Sequence, residues 1–472
     1  MPASSSSRIR QIAFPFLPRR SRRPRTAEVH PTQELGFGLL SLLCPIEVVE
    51  RVVEECGRKE KRLRLLPAWL VVYSLLMLCL NPDASYQEVL QRMAPGASTS
   101  RRWRVPNKSA LIQARAKLGW EVMERLFRAL VAPLAKAGTP GCFWRGLRVM
   151  AIDGTTMEVA NTPANEAAFG GPSTTGRQRA GNPQIRVALL TECGTHAVVD
   201  AGMGRYQEDE LSLMSRFGPS VNSEMLLLGD RKLASTKLWT LLAERGAHLV
   251  WRAPRTVATN VQEHLDDGSY LAVIFRKEKS RHFKVTVRVV EYVVEGSSEI
   301  YRLMTSLLDP STAPAEELAR LYHQRWEIEG TFDELKTHQR GSGAVLRSQS
   351  PQGVRQEFWA HMILHGIVRK LAYKASHGVA EPDPDRISFT TSLRILRRSA
   401  TSGVGRLAHL LHHGLKLALA ELRQLRNQVI RRHRQCPRVV GHQQPRYPSR
   451  RRPVTPSVTF SEPPTVFVCG VN

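Results

Sequence analysis

Three acidic residues occupy positions from which they could act together. Asp153 ends one predicted β-strand and Asp230 ends another, while Glu329 lies in a predicted helix that begins near Pro314. In open α/β sheets, ligands bind at the carboxyl ends of the strands. We therefore expect these carboxylates to lie close together there. Carboxylates without histidine or cysteine ligands suit Mg²⁺ or Mn²⁺, and two such ions can promote phosphoryl transfer. Taken singly, an Asp before Gly is a common turn residue and a helical Glu is usually exposed.

The helix that carries Glu329 brings other polar groups to the same side. Tyr322, Arg325, Glu329 and Lys336 are separated by 3, 4 and 7 residues. At about 100° per residue they fall within an arc of about 60°, beside an apolar arc. Cations beside a carboxylate could bind a phosphodiester and stabilise the negative charge that develops on its oxygens during cleavage. The alternative is an amphipathic helix with charge pairs four residues apart, which explains Glu334 well.

The spacing Y-x2-R-x3-E-x6-K resembles the signature of the DDE transposases of bacterial insertion sequences, the insertion element 4 family. Asp153-Gly-Thr-Thr is similar to the family's first aspartate strand, and Gly229-Asp230-Arg231 is similar to its second. The resemblance extends over roughly residues 35–375. It implies an α/β fold, in which a ribonuclease-H-like catalytic core with a β-rich insertion is preceded by an all-helical N-terminal domain.

The resemblance also implies roles for individual residues. The catalytic residues, which would hold two Mg²⁺ or Mn²⁺ ions, are Asp153, Asp230 and Glu329. The residues that would bind phosphates of the transposon end are Tyr322, Arg325 and Lys336. The family cleaves DNA at the 3′ ends of the element and joins those ends to a target.

Excision in this family often passes through a hairpin on the flanking strand. Relatives that form the hairpin hold a flipped base on an aromatic side chain. The sequence does not choose among the aromatic candidates, which are Trp239, Trp251, Tyr292 and Trp326. Lys232 and Leu233 stand where many relatives have glycine and an aromatic residue, so the resemblance is weaker at the turn that follows Asp230.

The chain divides into four predicted regions. A basic disordered arm covers residues 1–29, and a helical DNA-binding domain covers residues 30–140. The ribonuclease-H-like catalytic domain covers residues 141–375, with its β-rich insertion at 255–305. A basic C-terminal region covers residues 376–472, and its Pro/Arg-rich tail does not have the composition of a packed domain.

The catalytic domain is predicted from short apolar runs in the order β-β-β-α-β-α-β, the order of a ribonuclease-H-like core. The strand runs are residues 147–153, 185–190, 196–201, 225–228 and 248–252, with a helical stretch at 209–217. Further runs at 285–294 and 299–305 predict a separate β-rich piece.

The N-terminal region is predicted to be helical. Pro67 begins a core helix at residues 68–80, and Ser85 and Glu88 form a capping box for the next helix. A third helix, after Asn107, has a polar side with Gln113, Arg115 and Lys117. This arrangement predicts either a helix-turn-helix DNA reader or an ordinary helical bundle with a solvated basic face. The candidate DNA contacts are Arg101, Arg102, Arg104, Lys108 and Arg231.

The composition favours DNA as the partner. The chain has 68 Lys plus Arg residues against 42 Asp plus Glu residues, which gives a formal charge of +26. This charge favours nucleic acid over a membrane surface as the binding partner. Residues 1–27 carry seven arginines, residues 423–461 carry ten, and neither tract has an acidic residue. Most of the excess charge therefore lies in these two tracts, so it supports DNA binding but does not identify the reaction. The most apolar stretch is too short to span a bilayer. Seven scattered cysteines without a CxxC pair predict neither disulfides nor structural zinc.

These features together predict a bacterial transposase in the cytoplasm, associated with the nucleoid. It would bind terminal inverted repeats and target DNA mainly through phosphates, and it would act as a homodimer on DNA because two ends must be handled. Two alternatives stay open. One is a two-metal nuclease of the same fold without strand transfer, and the other is an inactive DNA-binding relic that acts as a repressor.

Overall fold

The computed structural model describes residues 37–61, 66–93, 105–172, 181–233, 235–253, 260–278, 281–295, 299–341, 343–379, 381–400, 408–426 and 465–469. Three sets of predicted features lie outside these residues: the basic arm, the arginines Arg101, Arg102 and Arg104, and most of the C-terminal tail. In the described part of the chain, no helix has both the length and the apolar character needed to cross a membrane.

The described residues form α-helices and β-strands in clear succession. The helices are α1 (Leu39–Leu43), α2 (Ile46–Glu55), α3 (Ala68–Leu80), α4 (Tyr86–Arg92), α5 (Lys108–Leu118), α6 (Glu121–Leu130), α7 (Pro163–Phe169), α8 (Glu210–Met214), α9 (Thr236–Ala243), α10 (Ala315–Tyr322), α11 (Glu327–Asp333), α12 (Pro351–Ser376), α13 (Phe389–Ala400) and α14 (Ala408–Gln424). The strands are β1 (Phe143–Trp144), β2 (Leu147–Glu158), β3 (Gln184–Glu192), β4 (Val198–Arg205), β5 (Met225–Gly229), β6 (His248–Arg252), β7 (Asn260–His264), β8 (Tyr270–Glu278), β9 (Arg281–Val294), β10 (Ile300–Thr305) and β11 (Val466–Val468).

The N-terminal helices follow the local signals of the sequence. α3 begins directly after Pro67 and is buried along nearly its whole length, as predicted. The Ser85 hydroxyl accepts a hydrogen bond from the Glu88 amide, and the Glu88 carboxylate accepts one from the Ser85 amide, so the predicted capping box is present. The Asn107 side chain caps α5. One prediction is wrong: Arg115 lies on the buried side of α5, not on its polar side.

The strands join one mixed sheet in the order β4-β3-β2-β5-β6-β10-β9-β8-β7. β2, β3 and β4 are antiparallel neighbours, whereas β5 lies parallel to β2 and β6 lies parallel to β5. Three antiparallel strands followed by two parallel ones form the ribonuclease-H-like core that the sequence predicted. The short β1 pairs with the beginning of β2.

The β-rich insertion is not a separate piece, which corrects the prediction. β10 pairs antiparallel with β6, with Met304 opposite Trp251, and β9, β8 and β7 extend the sheet outward. The C-terminal tail also contributes a strand, because β11 pairs antiparallel with β9 and places Phe467 opposite Val293. Val466 is buried in this pairing, so these residues of the tail pack against the sheet.

The sheet separates two apolar cores. Successive side chains of β2 point to opposite faces: Val149 and Ala151 belong to one core, whereas Met150 and Ile152 belong to the other. The first core contains the N-terminal helices, the segment from α10 to α11, and α12. The second contains α8 and α9. Since α12 packs against both α3 and α6, the N-terminal helices and the catalytic domain share one core across the predicted boundary at residue 140.

Candidate active site

Asp153 and Asp230 follow paired positions of two parallel strands. The register pairs Ile152 of β2 with Gly229 of β5, and each aspartate is the next residue along the chain. Neighbouring strands are about 4.8 Å apart, so the backbones of the two aspartates lie side by side at the end of the β2–β5 pairing. The sequence predicted that Asp153 ends a strand. It lies inside β2 instead, because residues 154–158 continue to pair with β3.

Glu329 lies on a helical segment that packs against β2. The predicted long helix is a continuous series: α10, a 3₁₀ segment (His323–Trp326), α11, and a π-helical segment (Glu334–Gln339). π-helical turns are rare and occur frequently at functional sites. The Arg325 guanidinium is 3.7 Å from the Glu329 carboxylate and 3.5 Å from the Asp153 carboxylate. Arg325 therefore links the third acid to the first, and the three predicted carboxylates lie around one place.

The electrostatics of the site oppose an isolated negative charge on Asp153. Burial above all, together with the charges of Asp230 and Glu329, raises the pKa of Asp153 to about 6. The Gly154 amide, which donates to the Asp153 carboxylate at 2.7 Å, and the Arg325 guanidinium act in the opposite direction. A raised carboxyl pKa means that the charged form is unfavourable in these surroundings. The site therefore favours a bound cation.

The donor chemistry of the site fits a divalent metal ion. Asp153, Asp230 and Glu329 offer carboxylate oxygens, which hard cations such as Mg²⁺ and Mn²⁺ prefer. As the side chains stand, no three Asp, Glu, His or Cys residues in the described ranges are close enough together to hold one ion. The Arg325 guanidinium supplies positive charge between two of the acids instead.

Tyr322, a predicted phosphate contact, supports the strand that leads to Asp230. Its hydroxyl donates to the Gly229 carbonyl at 3.2 Å, and its side chain is buried. Burial raises the pKa of Tyr322 to about 12, so the phenol keeps its proton and remains a donor at neutral pH. In this arrangement the phenol fixes the residue before Asp230 and does not face solvent, where a DNA phosphate would approach.

The other two predicted phosphate contacts differ in their exposure. The Lys336 ammonium donates to the Thr155 hydroxyl, which belongs to β2 just beyond Asp153. Burial, helped by the charge of Arg340, lowers the pKa of Lys336. Lys336 is partly exposed, whereas Arg325 is buried. Of the three predicted groups, Lys336 is the most accessible to a phosphate.

The turn after Asp230 is a short 3₁₀ segment, Arg231–Leu233. The Lys232 amide donates to the Asp230 carboxylate at 2.6 Å, which is an Asx-type turn that sets the direction of the acid. Arg231 and Lys232 are exposed, so both cations stand open to solvent beside the acid. Leu233 is buried in the second core, which explains an apolar residue at this position.

The four aromatic candidates for a flipped base differ in burial. Trp239, Trp251 and Tyr292 are buried, whereas Trp326 is partly exposed. Trp251 packs directly over Gly229, where an added Cβ would lie 2.8 Å from the indole ring. Trp251 therefore shapes the strand before Asp230. Of the four, Trp326 is the one that solvent reaches.

A buried charged cluster, which the sequence analysis missed, holds the opposite side of α11. His196 lies in the turn between β3 and β4, with a φ of 57°. Its two ring nitrogens are 2.7 Å from Glu327 and 3.0 Å from Glu334. Two groups of α12 also contact Glu334: His365 at 3.0 Å, and Arg369, which donates at 2.8 Å. Glu334 is buried, so the alternative of charge pairs on an amphipathic helix does not describe it.

This cluster acts close to the third acid. The backbone of Gly330 packs against the His196 ring, and a Cβ atom added at Gly330 would come within 2.9 Å of that ring. Because Gly330 follows Glu329 directly, the contact fixes the height and rotation of the turn that carries Glu329. The spacing of Glu327 and Glu334 puts both on one helix face, but only the fold reveals that His196 and α12 meet that face.

Comparisons with known proteins show that the chain is similar to transposases. The family model described as "Insertion element 4 transposase N-terminal" matches residues 34–128, and the model "Transposase DDE domain" matches residues 144–367. The transposase InsG for insertion sequence element IS4, from Escherichia coli K12, is 29% identical over 419 residues, which are 85% of this chain and 91% of that protein. The putative transposase InsZ of the same strain is 22% identical over 210 residues, which are 44% of this chain and 69% of that protein.

Proposed function

Because the chain belongs to the insertion element 4 family of DDE transposases, we propose that it cuts DNA at the ends of an insertion sequence and joins those ends to target DNA. One observation carries the proposal: Asp153, Asp230 and Glu329 lie around the end of the β2–β5 ladder. DNA transposition of this kind needs carboxylates in such an arrangement, since they are the groups that hold divalent ions beside a phosphodiester.

In this proposal, Asp153, Asp230 and Glu329 hold two Mg²⁺ or Mn²⁺ ions. When bound, the two ions supply positive charge at the attacking and leaving oxygens of a displacement at phosphorus. The other groups prepare the site. Tyr322 fixes the backbone before Asp230, and Lys336, beside Thr155, offers an ammonium to a phosphate of the bound strand.

The proposed reaction has two displacements at phosphorus. In the first, water attacks the phosphodiester at the end of the element, the bond between phosphorus and the 3′ oxygen breaks, and the oxygen leaves with a proton as a 3′-hydroxyl. In the second, this hydroxyl attacks a phosphodiester of the target and displaces another 3′ oxygen. Each step exchanges one phosphorus–oxygen bond for another, so neither needs an external energy source.

Binding of the two DNA ends would involve exposed cations around the acids and a second copy of the chain. Arg231 and Lys232 are exposed beside Asp230, and they can neutralise phosphates on either side of the cut. A homodimer on DNA follows from the need to handle two inverted ends. We place this activity on nucleoid DNA in the bacterial cytoplasm.

A strand-transfer assay tests the proposed function. The substrate is a duplex with the element's terminal sequence and a pre-cut 3′-hydroxyl, and the full-length protein, a target plasmid and Mg²⁺ are added. The proposal predicts covalent joining of the duplex to the plasmid. Nicking without joining would indicate a nuclease, and binding without any Mg²⁺-dependent cut would indicate an inactive DNA-binding protein. Either result would contradict the proposal.

A further inference from the structure

The exposed surface of α5 differs in charge from those of α2, α4 and α6. Acidic side chains are exposed on its neighbours: Glu47, Glu50, Glu54 and Glu55 on α2, Glu88 on α4, and Glu121 on α6. α5 contains no acidic residue. Its exposed side chains are Lys108, Ser109, Ile112, Gln113, Ala116 and Lys117. The neighbouring helices also expose arginines, namely Arg51, Arg92, Arg125 and Arg128, so their exposed charges are mixed. The exposed charges of α5 are all positive, so no acidic group of α5 itself repels a polyanion that lies along it.

The exposed side chains of α5 suit the edges of DNA bases. At about 100° per residue they cover one half of the helix, from Lys108 to Lys117. In the major groove, glutamine can bond adenine through two hydrogen bonds, lysine can bond guanine or a phosphate, and an apolar group can contact the methyl group of thymine. Gln113 provides the first of these groups, and Ile112, which is 47% exposed, provides the last.

A largely apolar cavity with three cations in its lining lies beside this surface. It has a volume of about 640 Å³, and Arg58 and Lys61, which follow α2 in the chain, line it together with Lys117 of α5. Glu60 also lines the cavity, so its charge is positive but not uniform. Cations beside a groove-bound helix can contact the phosphates that border the groove.

The buried side of α5 is fixed to the segment that follows the catalytic helix. Arg115 donates to the Ser348 hydroxyl at 3.1 Å and to the Gln356 side chain at 3.2 Å. The Gln356 amide in turn donates to the carbonyls of Arg115 and Gly119, each at 2.8 Å. We call these hydrogen bonds the Arg115 brace. They hold α5 against the beginning of α12.

The Arg115 brace also connects α5 with the strand that carries the first acid. Ser348 belongs to the loop that follows the π-helical segment, and Leu346 in this loop forms a β-bridge with Val159, just beyond the end of β2. β2 carries Asp153. The position of α5 relative to the candidate active site is therefore fixed through buried backbone and side-chain contacts.

We propose that α5 lies in the major groove of the element's terminal repeat and reads its base sequence, with the Arg115 brace setting the distance from the bases read to the bond cut. This proposal rests on the proposed function, because it names the element that would recognise the DNA ends. α5 has 11 residues, and its length of about 16 Å is enough to present its face to several base pairs.

A selection experiment tests whether α5 reads bases. Full-length protein is mixed with short duplexes of random sequence in EDTA, which prevents cutting, and the bound duplexes are sequenced. The wild type should enrich one motif. Gln113→Ala should lose the preference at one or two adjacent base pairs and bind the wild-type motif about tenfold or more weakly. The matched control is Gln87→Ala, an exposed glutamine on α4, which should select the wild-type motif unchanged.

Lysine substitutions separate phosphate contacts from base contacts. Lys117→Ala should weaken binding to all duplexes alike and lower the slope of log affinity against log salt concentration by about one. If Gln113→Ala and Ile112→Ala both select the wild-type motif with wild-type affinity, α5 does not read bases and the proposal is overturned. The proposed function would survive this result as long as the wild type still cuts and joins the ends.

The Arg115 brace is tested by the position of the cut. Arg115→Lys should keep the selected motif, which shows that the chain is folded, and should spread the cut over neighbouring phosphodiesters. A single, unchanged cut position in Arg115→Lys would overturn the role of the brace. A wild type that enriches no motif and cuts no ends would instead contradict the proposed function itself, so the two failures are distinguishable.

Discussion

The Arg325 guanidinium lies 3.5 Å from the carboxylate of Asp153 and 3.7 Å from that of Glu329. It supplies positive charge between these two acids. The sequence predicted Arg325 as a phosphate contact. In our interpretation, with the acids neutralised by bound cations, the Arg325 guanidinium would be available to a DNA phosphate.

The first prediction concerns the stability of the metal-free protein. The pKa of Asp153 is raised to about 6 by folding, so the folded protein binds more protons than the unfolded chain between pH 3.8 and about 6. Stability is therefore lost as the pH rises through this window. Asp153→Asn removes the carboxyl group whose ionisation causes this loss of stability. It should therefore raise the free energy of unfolding by on the order of 2 kcal/mol at neutral pH. Urea unfolding in EDTA measures this difference.

Metal addition provides the control for that prediction. Mn²⁺ should stabilise the wild type, because it binds the folded state, and it should stabilise Asp153→Asn much less. If the variant is less stable than the wild type in EDTA, or if both respond equally to Mn²⁺, the electrostatic interpretation of the acids is wrong.

The second prediction separates two roles of Tyr322. Tyr322→Phe removes the hydrogen bond to the Gly229 carbonyl, so it should lower the free energy of unfolding by about 1 kcal/mol. It should also slow the single-turnover cut without weakening the binding of end DNA. Weaker DNA binding with an unchanged cutting rate would mean that Tyr322 contacts phosphate, as the sequence predicted.

The third prediction concerns the buried cluster around His196. His196→Asn is the suitable change because asparagine tolerates the left-handed backbone found there. It leaves at least one carboxylate of Glu327 and Glu334 without a partner, so it should destabilise the protein by about 3 kcal/mol. The exposed pair of Arg145 and Glu317 is the control, since Glu317→Gln should cost less than about 1 kcal/mol. Equal losses in the two variants would argue against a special role of the cluster.

The fourth prediction concerns acid stability. Burial lowers the pKa of His323 to about 4, with Arg252 and Arg325 adding to the effect. An unfolded histidine has a pKa near 6.5, so the unfolded chain binds one more proton between about pH 4 and 6.5, and stability is lost as the pH falls through 6.5. His323→Asn should reduce this loss by up to about 1.4 kcal/mol per pH unit. Urea unfolding at pH 5 and pH 7 checks it, and identical pH dependence in the variant and the wild type would contradict it.

Much of the fold could be predicted from the sequence because its signals are local. Pro67 and the apolar run after it define α3, and Ser85 with Glu88 defines the beginning of α4. The apolar runs at 147–153 and 225–228 identify the central strands of the sheet. The three acids follow from their positions relative to such runs and from the spacing around Glu329.

The features that could not be predicted depend on distant partners. β2 continues past Asp153 because β3 offers backbone partners there, and nothing near Asp153 in the sequence signals this. Arg115 and Glu334 look like solvent-exposed charges on helices. They are buried because Ser348 and Gln356 meet the first, and His196 and α12 meet the second. Only the three-dimensional fold brings these groups together.

The central claim is that Asp153, Asp230 and Glu329 form one catalytic unit, and a comparison on α11 tests it most directly. Glu329→Gln changes the third acid, and Asp333→Asn is the matched control, because Asp333 is exposed on the same helix and pairs with His338. The measurement is the single-turnover rate of Mg²⁺-dependent cutting of end DNA, with DNA affinity measured in parallel.

The account predicts that Glu329→Gln lowers this rate by about a hundredfold or more, with DNA affinity nearly unchanged, while Asp333→Asn cuts like the wild type. A Glu329→Gln variant that cuts at the rate of Asp333→Asn would contradict it.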